Sequence, residues 1–243
     1  MTLFAKLYTK NKENAYKDIL KKYKEQWFAI VNYMYFANLI SSGILSGKKV
    51  NKDFLEAVTS WDFLLPDGIA LKLYYKKYFW LDLPNLNGTD FSEYVFSHLK
   101  KDTFNLVLYG AKREVIEKAA RNISIKHDMK VHYFQDGYSD FNFEVLQTLP
   151  EWKINIMMVG LGTPKQEIWV QQHLDMIQTY NLLVFTQGGT FDFWAGNEKR
   201  APKIFINLKL EWLWRFATNP KKNFKKVWYS FYLFYYLGWK NSK

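Results

Sequence analysis

An apolar segment that ends in glycine and is followed by a helical pattern recurs through the middle of the chain. Residues 105–109 run into Gly110 before a helical pattern over 113–122, and residues 154–159 run into Gly160 before a helix from about Pro164 to Leu174. Similar apolar segments cover 63–65, 130–134 and 182–186. Continuous apolar strands that alternate with helices are typical of a parallel sheet covered on both faces. The pattern predicts an α/β fold, Rossmann-like, with a mostly parallel sheet flanked by helices.

The first part of the chain supplies further elements to this fold. Apolar spacing predicts helices over 11–30, 54–61 and 69–78, and the apolar stretch 29–45 suits a short strand followed by a helix. Hydrophobic residues make up 49% of the 243 residues, which is enough to bury a core. No internal repeat is evident beyond the strand–helix alternation.

Charge divides the chain near residue 200. Eleven Lys or Arg and one acid, Glu211, lie between 199 and 243, so this segment holds +10 of the formal net charge of +11. We therefore expect an α/β domain over 1–198 and a basic, aromatic appendage over 199–243, with a Trp-rich helix around 208–217. A near-neutral body with a basic end indicates an anionic partner such as phosphate, a lipid surface or nucleic acid.

The last segment combines lysines with eight aromatic residues between Trp228 and Trp239. As a helix, residues 227–239 would be about 20 Å long, too short for a hydrocarbon core of about 30 Å. Trp, Tyr and Lys together favour the headgroup zone. We expect this segment to associate with a membrane surface, and packing of its aromatic side chains on the core is the alternative.

Two absences bear on the compartment. The chain has no cysteine, which excludes disulfides, and residues 1–24 lack the apolar core of a signal peptide. No window is long and apolar enough for a spanning helix. The expectation is a cytoplasmic protein, peripheral at the inner face of the cell membrane.

Ligands of parallel α/β sheets bind beyond the carboxyl ends of the strands, where this chain places its glycine-rich turns. Residues 160–167, Gly-Leu-Gly-Thr-Pro-Lys-Gln-Glu, close one strand and open a helix whose amides suit a diphosphate. Pro164 suits a helix start. An ordinary strand-to-helix turn explains the same spacing equally well.

Two aspartates lie at similar positions. Asp67 ends a buried strand and could remove a proton from an acceptor hydroxyl, or it could simply cap the helix that follows. Asp192 follows Gly188-Gly189 and could hold a ribose or sugar hydroxyl, or cap a plain loop. There is no Asp-X-Asp pair, and the four histidines show no metal-ligand spacing. No metal site is predicted.

Taken together, these motifs resemble the WecG/TagA/CpsF family, glycosyltransferase family 26. The resemblance covers most of the chain and is carried, in family order, by residues 65–68 (Leu-Pro-Asp-Gly), 87–91 (Asn-Gly-Thr-Asp-Phe), 108–112 (Leu-Tyr-Gly-Ala-Lys), 136–138 (Asp-Gly-Tyr), 159–167, 188–192 (Gly-Gly-Thr-Phe-Asp), 199–202 (Lys-Arg-Ala-Pro) and 210–215 (Leu-Glu-Trp-Leu-Trp-Arg).

The resemblance implies inverting, metal-independent transfer without a cofactor, from a UDP-sugar to an undecaprenyl-diphosphate-linked saccharide at the cytoplasmic membrane surface. The sugar would be like N-acetylmannosamine, its uronate, glucose or glucuronate, and the product a surface polysaccharide or teichoic acid. Asp67 would be the base. Donor-binding residues would be Asn38, Gly68, Gly110, Gly160, Gly162, Pro164, Lys165, Gln166, Glu167, Gly188, Gly189 and Asp192. The lipid diphosphate would be bound by Arg200, Arg215, Lys222 and Lys225.

Two positions depart from the family pattern. Phe36-Ala37-Asn38 keeps the Asn of a Thr-X-Asn motif but lacks its Thr, which leaves the donor sugar open, and Asn219-Pro220 is followed by Lys where the family often has Arg. The oligomeric state is also open, and a homo-oligomer is one option. No nucleic-acid partner is expected. A basic nucleic-acid-binding module and a non-catalytic membrane scaffold are the alternatives.

Overall fold

The computed structural model describes residues 3–43, 49–202, 204–205, 208 and 210–220. The strands are β1 (Ala29–Tyr35), β2 (Phe63–Asp67), β3 (Phe104–Gly110), β4 (Val131–Gln135), β5 (Ile154–Gly160) and β6 (Leu182–Thr186). The helices are α1 (Lys12–Gln26), α2 (Phe36–Ser41), α3 (Lys52–Ser60), α4 (Ile69–Phe79), α5 (Gly88–His98), α6 (Arg113–His127), α7 (Lys165–Gln172), α8 (Leu174–Thr179), α9 (Thr190–Trp194) and α10 (Glu211–Thr218). Short 3-10 helices cover Leu3–Lys6 and Phe143–Thr148.

The six strands form one sheet in the order β2-β1-β6-β5-β3-β4. Each neighbouring pair is parallel, and the longest ladder joins β3 to β5 from Phe104–Ile154 through Gly110–Gly160. The predicted Rossmann-like α/β fold with a parallel sheet is confirmed. Because all strands run the same way, their carboxyl ends share one edge of the sheet.

Helices cover the sheet on both faces, which is why its central strands are mostly apolar instead of alternating between apolar and polar residues. In β1, Ile30 and Met34 pack on one side with α2, α3, α4, α7 and α8, which we call the α7 face. Val31 and Tyr33 pack on the other side with α1, α5, α6 and α9, the α5 face. The period-2 alternation of a strand produces this division.

Local signals set most element boundaries. The side chains of Asn11, Asn51 and Asn87 accept backbone N–H groups at the starts of α1, α3 and α5, as N-caps do. Trp27 and Trp80 end α1 and α4 in the left-handed conformation. Helix α1 therefore stops at Gln26, four residues before the predicted end.

Other boundaries differ from the sequence-based expectation. Strand β2 continues through Pro66 to Asp67, which its position at the edge of the sheet permits. Helix α5 was not predicted, α6 extends to His127, and the helix predicted to run to Leu174 ends at Gln172. In the appendage α10 begins at Glu211, later than predicted, and the proposed interfacial segment 227–239 lies outside the described residues.

Within the described residues, none of the helices has the length and apolar character that crossing a membrane requires.

Candidate active site at the carboxyl edge of the sheet

The residues singled out from the sequence gather at the carboxyl edge of the sheet. Four adjacent strands, β2, β1, β6 and β5, end there at Asp67, Tyr35, Thr186 and Gly160. The turns after them carry the Gly68, Gly162 and Gly188-Gly189 motifs. The fold thus brings segments more than 100 residues apart in sequence to one edge.

Asp67 is buried at the end of β2, with 8% of its surface exposed. The backbone N–H of Gly88, the first residue of α5, donates to its Oδ2 at 3.0 Å. The N terminus of α5 therefore stabilises negative charge on this carboxylate. The next residue, Gly68, has φ +88°, and a Cβ placed there would meet no atom within 4 Å outside its two chain neighbours. The turn that follows Asp67 therefore borders open space.

The chain after α4 returns to Asp67 and fixes it in place. The Asn85 side chain accepts from the Gly68 N–H at 3.1 Å, and the Leu86 N–H donates to the Pro66 carbonyl at 2.9 Å. Together with the Gly88 bond, these bonds tie residues 85–88 to the end of β2 on both sides of Asp67 in sequence. Sequence analysis missed Asn85.

A buried polar side chain links α5 to the loop after β6. Gln187 is 2% exposed; its Nε2 donates to Ser92 Oγ at 2.5 Å, and its Oε1 accepts from Thr190 Oγ1 at 2.5 Å. The Tyr33 ring packs on Phe91, and burial raises the pKa of Tyr33 above its ordinary value, so the phenol stays neutral. Sequence analysis also missed Gln187, whose only local signal is its place after an apolar strand and before two glycines.

The predicted donor turn after β5 is held from inside by two buried side chains. Gln166 Oε1 accepts from the Gly162 N–H at 3.2 Å, and Gln166 Nε2 donates to Glu167 Oε1 at 3.0 Å. Thr163 Oγ1 donates to the same Glu167 oxygen at 3.0 Å. Gln166 and Glu167 are 4% and 0% exposed, whereas Pro164 and Lys165 are exposed. Gln166 and Glu167 therefore hold the turn in its conformation from inside, and Pro164 and Lys165 form its exposed surface.

Glu167 is a carboxyl group that forms no ion pair with the described residues. Burial raises its pKa above the ordinary value, although the hydrogen bonds from Gln166 and Thr163 act in the opposite direction. Its Oε2 has no hydrogen-bond partner among the described residues. A buried acid that is only partly satisfied is costly, so its presence at this turn calls for a functional reason.

The predicted donor-binding glycines fall into two groups. A Cβ on Gly160 would lie 2.5 Å from the Phe191 ring, and one on Gly110 would lie 2.4 Å from the Gly160 carbonyl oxygen. Packing alone requires glycine at these two positions. A Cβ on Gly162 or Gly189 would meet nothing within 4 Å. These turns border open space and are the better candidates for close approach of a ligand.

Gly188 is intermediate between these groups. A Cβ there would lie 3.3 Å from Gln166 Oε1 and 3.4 Å from the Gly162 Cα. The turns after β5 and β6 are therefore in direct contact. They form one surface.

A second buried polar pair lies between β1 and β6 on the α7 face. Asn32 is 0% exposed, and its Oδ1 accepts from Thr186 Oγ1 at 2.5 Å. Its Nδ2 has no hydrogen-bond partner among the described residues. Asn38, predicted to bind the donor, is buried in α2 on the same face, 8% exposed. A single amide side chain within the apolar stretch of residues 29–35 could have pointed to Asn32 as a buried polar residue. The sequence-based prediction did not include it.

The residues predicted to bind the lipid diphosphate are described only in part. Arg200 pairs through both terminal nitrogens with the Asp90 carboxylate in α5. Burial alone would raise the pKa of Asp90, but Arg200 and Asn87 lower it below its ordinary value. In this structure Arg200 anchors the start of the appendage to α5. The Arg215 side chain, Lys222 and Lys225 lie outside the described residues.

Asp192 lies in α9 and is half-buried; its carbonyl accepts from the Asn197 and Glu198 N–H groups at 2.9 and 3.2 Å. Its part in donor binding stays a prediction, as do the parts of the other donor residues. In the described part of the chain, no three His, Asp or Glu residues converge on a point that could hold a metal ion.

The fold and this edge define a class: a parallel α/β protein whose glycine-rich turns border open space beyond the strand ends, where such proteins bind their ligands, with the buried carboxyl groups of Asp67 and Glu167 at the same edge. A model of the Glycosyl transferase WecG/TagA/CpsF family matches residues 8–243. The chain belongs to this family.

Two curated relatives carry the same name, N-acetylglucosaminyldiphosphoundecaprenol N-acetyl-beta-D-mannosaminyltransferase. The protein from Bacillus subtilis (strain 168) is 29% identical over 171 residues, which is 70% of this chain and 66% of the relative. The protein from Bacillus spizizenii (strain ATCC 23059 / NRRL B-14472 / W23) is 28% identical over 175 residues, 71% of this chain and 66% of the relative. The match thus spans just under two thirds of each relative.

Proposed function

We propose that this protein is an inverting glycosyltransferase that moves an N-acetylmannosamine-type sugar from a UDP-sugar to a polyprenyl-diphosphate-linked N-acetylglucosamine acceptor. The family membership supports the reaction class, and the names of the two relatives support the acceptor and the sugar. The observation that carries the proposal is Asp67: a buried carboxylate at the edge where the glycine-rich turns meet, next to the Gly68 turn that borders open space.

In the proposed reaction the acceptor hydroxyl attacks the anomeric carbon of the donor sugar while Asp67 takes the hydroxyl proton. The bond from the anomeric carbon to the diphosphate breaks, and UDP leaves with the electron pair. Attack opposite the leaving group inverts the anomeric centre. A positioned base of this kind contributes about 10²–10⁴-fold to the rate.

The donor diphosphate would lie on the turns after β5 and β6. Gly162 and Gly189 leave room for it, Lys165 is exposed nearby in sequence, and the amides that open α7 suit an anion. Preorganised donors at the leaving group stabilise the charge that develops there. Gln166 and Glu167 would act by holding the Gly162 turn in this conformation.

Because the proposed acceptor is a lipid, we expect the reaction to take place at a membrane surface. Residues 1–198 would be the catalytic domain, and residues 199–243 the membrane-associating appendage. Ten net positive charges in the appendage support contact with lipid phosphates. The proposal needs no metal ion: transfer in excess EDTA should match transfer without it, and a strict requirement for added Mg²⁺ would overturn this part.

The proposal is tested by Asp67→Asn, which keeps an oxygen for the Gly88 N–H but cannot take a proton. We expect turnover to fall about 10²–10⁴-fold, while UDP affinity by calorimetry stays within about twofold. The matched control is Asp102→Asn, in the left-handed turn before β3, where Asn is well tolerated. Asp102→Asn should retain wild-type turnover. If Asp67→Asn keeps more than about a tenth of the turnover, Asp67 is not the base.

A further inference from the structure

Residues 69–84 form a helix-containing segment whose two ends both lie next to the candidate base, Asp67. The chain leaves β2 at Asp67-Gly68, runs through α4, and returns where Asn85 and Leu86 bond to Gly68 and Pro66. Helix α4 has 11 residues, a length of about 16 Å. Whatever surface the far end of α4 contacts is therefore held at a fixed distance from Asp67.

The inner side of α4 packs on the α7 face of the sheet. Leu71, Tyr74 and Tyr75 are buried, and the Tyr74 ring lies 5.5 Å from that of Phe36 at the start of α2. This contact accounts for the helix being stably attached. It does not account for the residues on its outer side.

The outer side of α4 is both apolar and basic. Leu73, Lys76 and Trp80 follow one another at helical spacing and are exposed. Trp80 is 92% exposed, and Phe79 and Leu81 beside it are 46% and 39% exposed. We call Leu73, Lys76, Lys77, Phe79, Trp80 and Leu81 the α4 tip. Three consecutive exposed large apolar side chains are costly in water and mark a contact surface.

The charge of the α4 tip narrows the choice of partner. Lys72 is paired with Asp82 at 3.1 Å, so that acid is already neutralised, and Lys76 makes no ion pair with any described residue. What remains is Trp and Phe beside lysine. Aromatic rings with lysine are the composition that binds the headgroup zone of an anionic bilayer.

We propose that the α4 tip is a membrane-docking surface that inserts Trp80 and its neighbours into the headgroup zone of an anionic lipid bilayer. The docking is separate from contacts made by the basic appendage. It fixes the height of Asp67 above the membrane, which suits a lipid-linked acceptor and in that respect rests on the proposed function. Vesicle binding and sugar transfer are independent measurements, so the two proposals fail separately.

The first test compares two exposed tryptophans in the full-length protein. Trp80→Ser removes the most exposed residue of the α4 tip, and Trp152→Ser removes a residue that is 73% exposed just before β5, at the amino edge of the sheet. With phosphatidylglycerol-containing vesicles we expect Trp80→Ser to weaken co-sedimentation at least about tenfold and Trp152→Ser to leave it unchanged. Lys76→Gln should weaken it about fivefold. Equal binding by all variants overturns the proposal.

The second test locates the contact, and the absence of cysteine makes it direct. Trp80→Cys and Trp152→Cys each provide one labelling site for a fluorophore. On vesicles with a nitroxide headgroup quencher, we expect quenching at position 80 and none at 152. A vesicle-bound protein with no quenching at position 80 overturns the proposal and leaves the appendage as the membrane contact. The proposal is also overturned if sedimentation velocity without lipid shows a dimeric wild-type protein and a monomeric Trp80→Ser variant. That result would make the α4 tip a subunit interface.

A soluble short-chain acceptor separates this inference from the proposed function. Wild-type protein that transfers sugar to that acceptor but binds no vesicles contradicts the docking surface alone. Protein that docks through position 80 but transfers no sugar contradicts the proposed function alone.

Discussion

The glycines at the carboxyl edge of the sheet allow a direct test of which are needed for packing and which for a ligand. Gly160→Ala would place a Cβ 2.5 and 2.6 Å from two carbons of the Phe191 ring. Phe191 is 1% exposed, so its ring has little room to move. Overpacking of this kind costs about 1–3 kcal/mol. For a chain of this size that corresponds to a fall in Tm of about 2–12 °C.

Gly189→Ala is the matched comparison. Its Cβ would meet nothing within 4 Å, and its φ of −115° is open to alanine. Alanine is a poorer N-cap than glycine, which lowers stability, but it also restricts the unfolded chain, which raises stability. Because the two effects oppose each other, the free energy of unfolding should change by no more than about 0.5 kcal/mol. Because the new methyl group enters the space proposed for the donor, Gly189→Ala should instead raise the donor KM.

Both variants would be followed by urea unfolding, thermal melts and donor titration. Gly160→Ala in a Phe191→Leu background should cost about 1 kcal/mol less than in the wild type, because the shorter side chain vacates the clash. The reasoning is refuted if Gly160→Ala is as stable as the wild type, or if Gly189→Ala loses stability while donor affinity is unchanged.

Two further predictions concern the buried and paired acids. Burial raises the folded-state pKa of Glu167, so its neutral form contributes its full share to the free energy of unfolding below the unfolded pKa near 4.5, and this share is lost as pH rises through the folded pKa. Glu167→Gln cannot ionise and should remove this loss, so the variant should gain more unfolding free energy relative to the wild type at pH 8 than at pH 5. An equal effect at both pH values would contradict the assignment. Asp90→Asn removes the partner of Arg200; since Arg200 is 46% exposed at its side chain, the cost should stay below about 1 kcal/mol. Because the pKa of Asp90 is lowered, that contribution should vanish as pH falls through it, and proteolysis near residue 200 should accelerate in the variant, whereas unchanged cleavage would show that the pair does not anchor the appendage.

Much of the fold could be predicted because a parallel sheet covered on both faces leaves a strong local signal. Strands β3, β5 and β6 are mostly apolar and end in glycine or close to a glycine turn, and each was placed within one residue. Helix α5 left a weaker signal, since Phe91, Val95 and Phe96 give only one buried stripe and its start coincides with a turn-like Asn87-Gly88. Its existence matters because its first amide holds Asp67.

The site could be predicted in outline but not in its internal support. Asp67 and the glycine-rich turns were identifiable because each follows a strand. Gln187 and Asn85 were not, because their partners Ser92 and Gly68 are distant in sequence and nothing local indicates the contact. The difference between Gly160 and Gly189 was equally hidden, since it depends on where the Phe191 ring lies.

The measurement that tests the central claim most directly is a panel of UDP-sugars with a synthetic polyprenyl-diphosphate-linked N-acetylglucosamine acceptor, with products read by mass spectrometry. We expect one N-acetylhexosamine added to the acceptor from UDP-N-acetylmannosamine by the wild-type protein, with the anomeric configuration inverted, and a product yield reduced at least about 100-fold in Asp67→Asn. Folded wild-type protein that yields no product from any UDP-sugar, or that yields product equally well with Asn at position 67, would contradict the account.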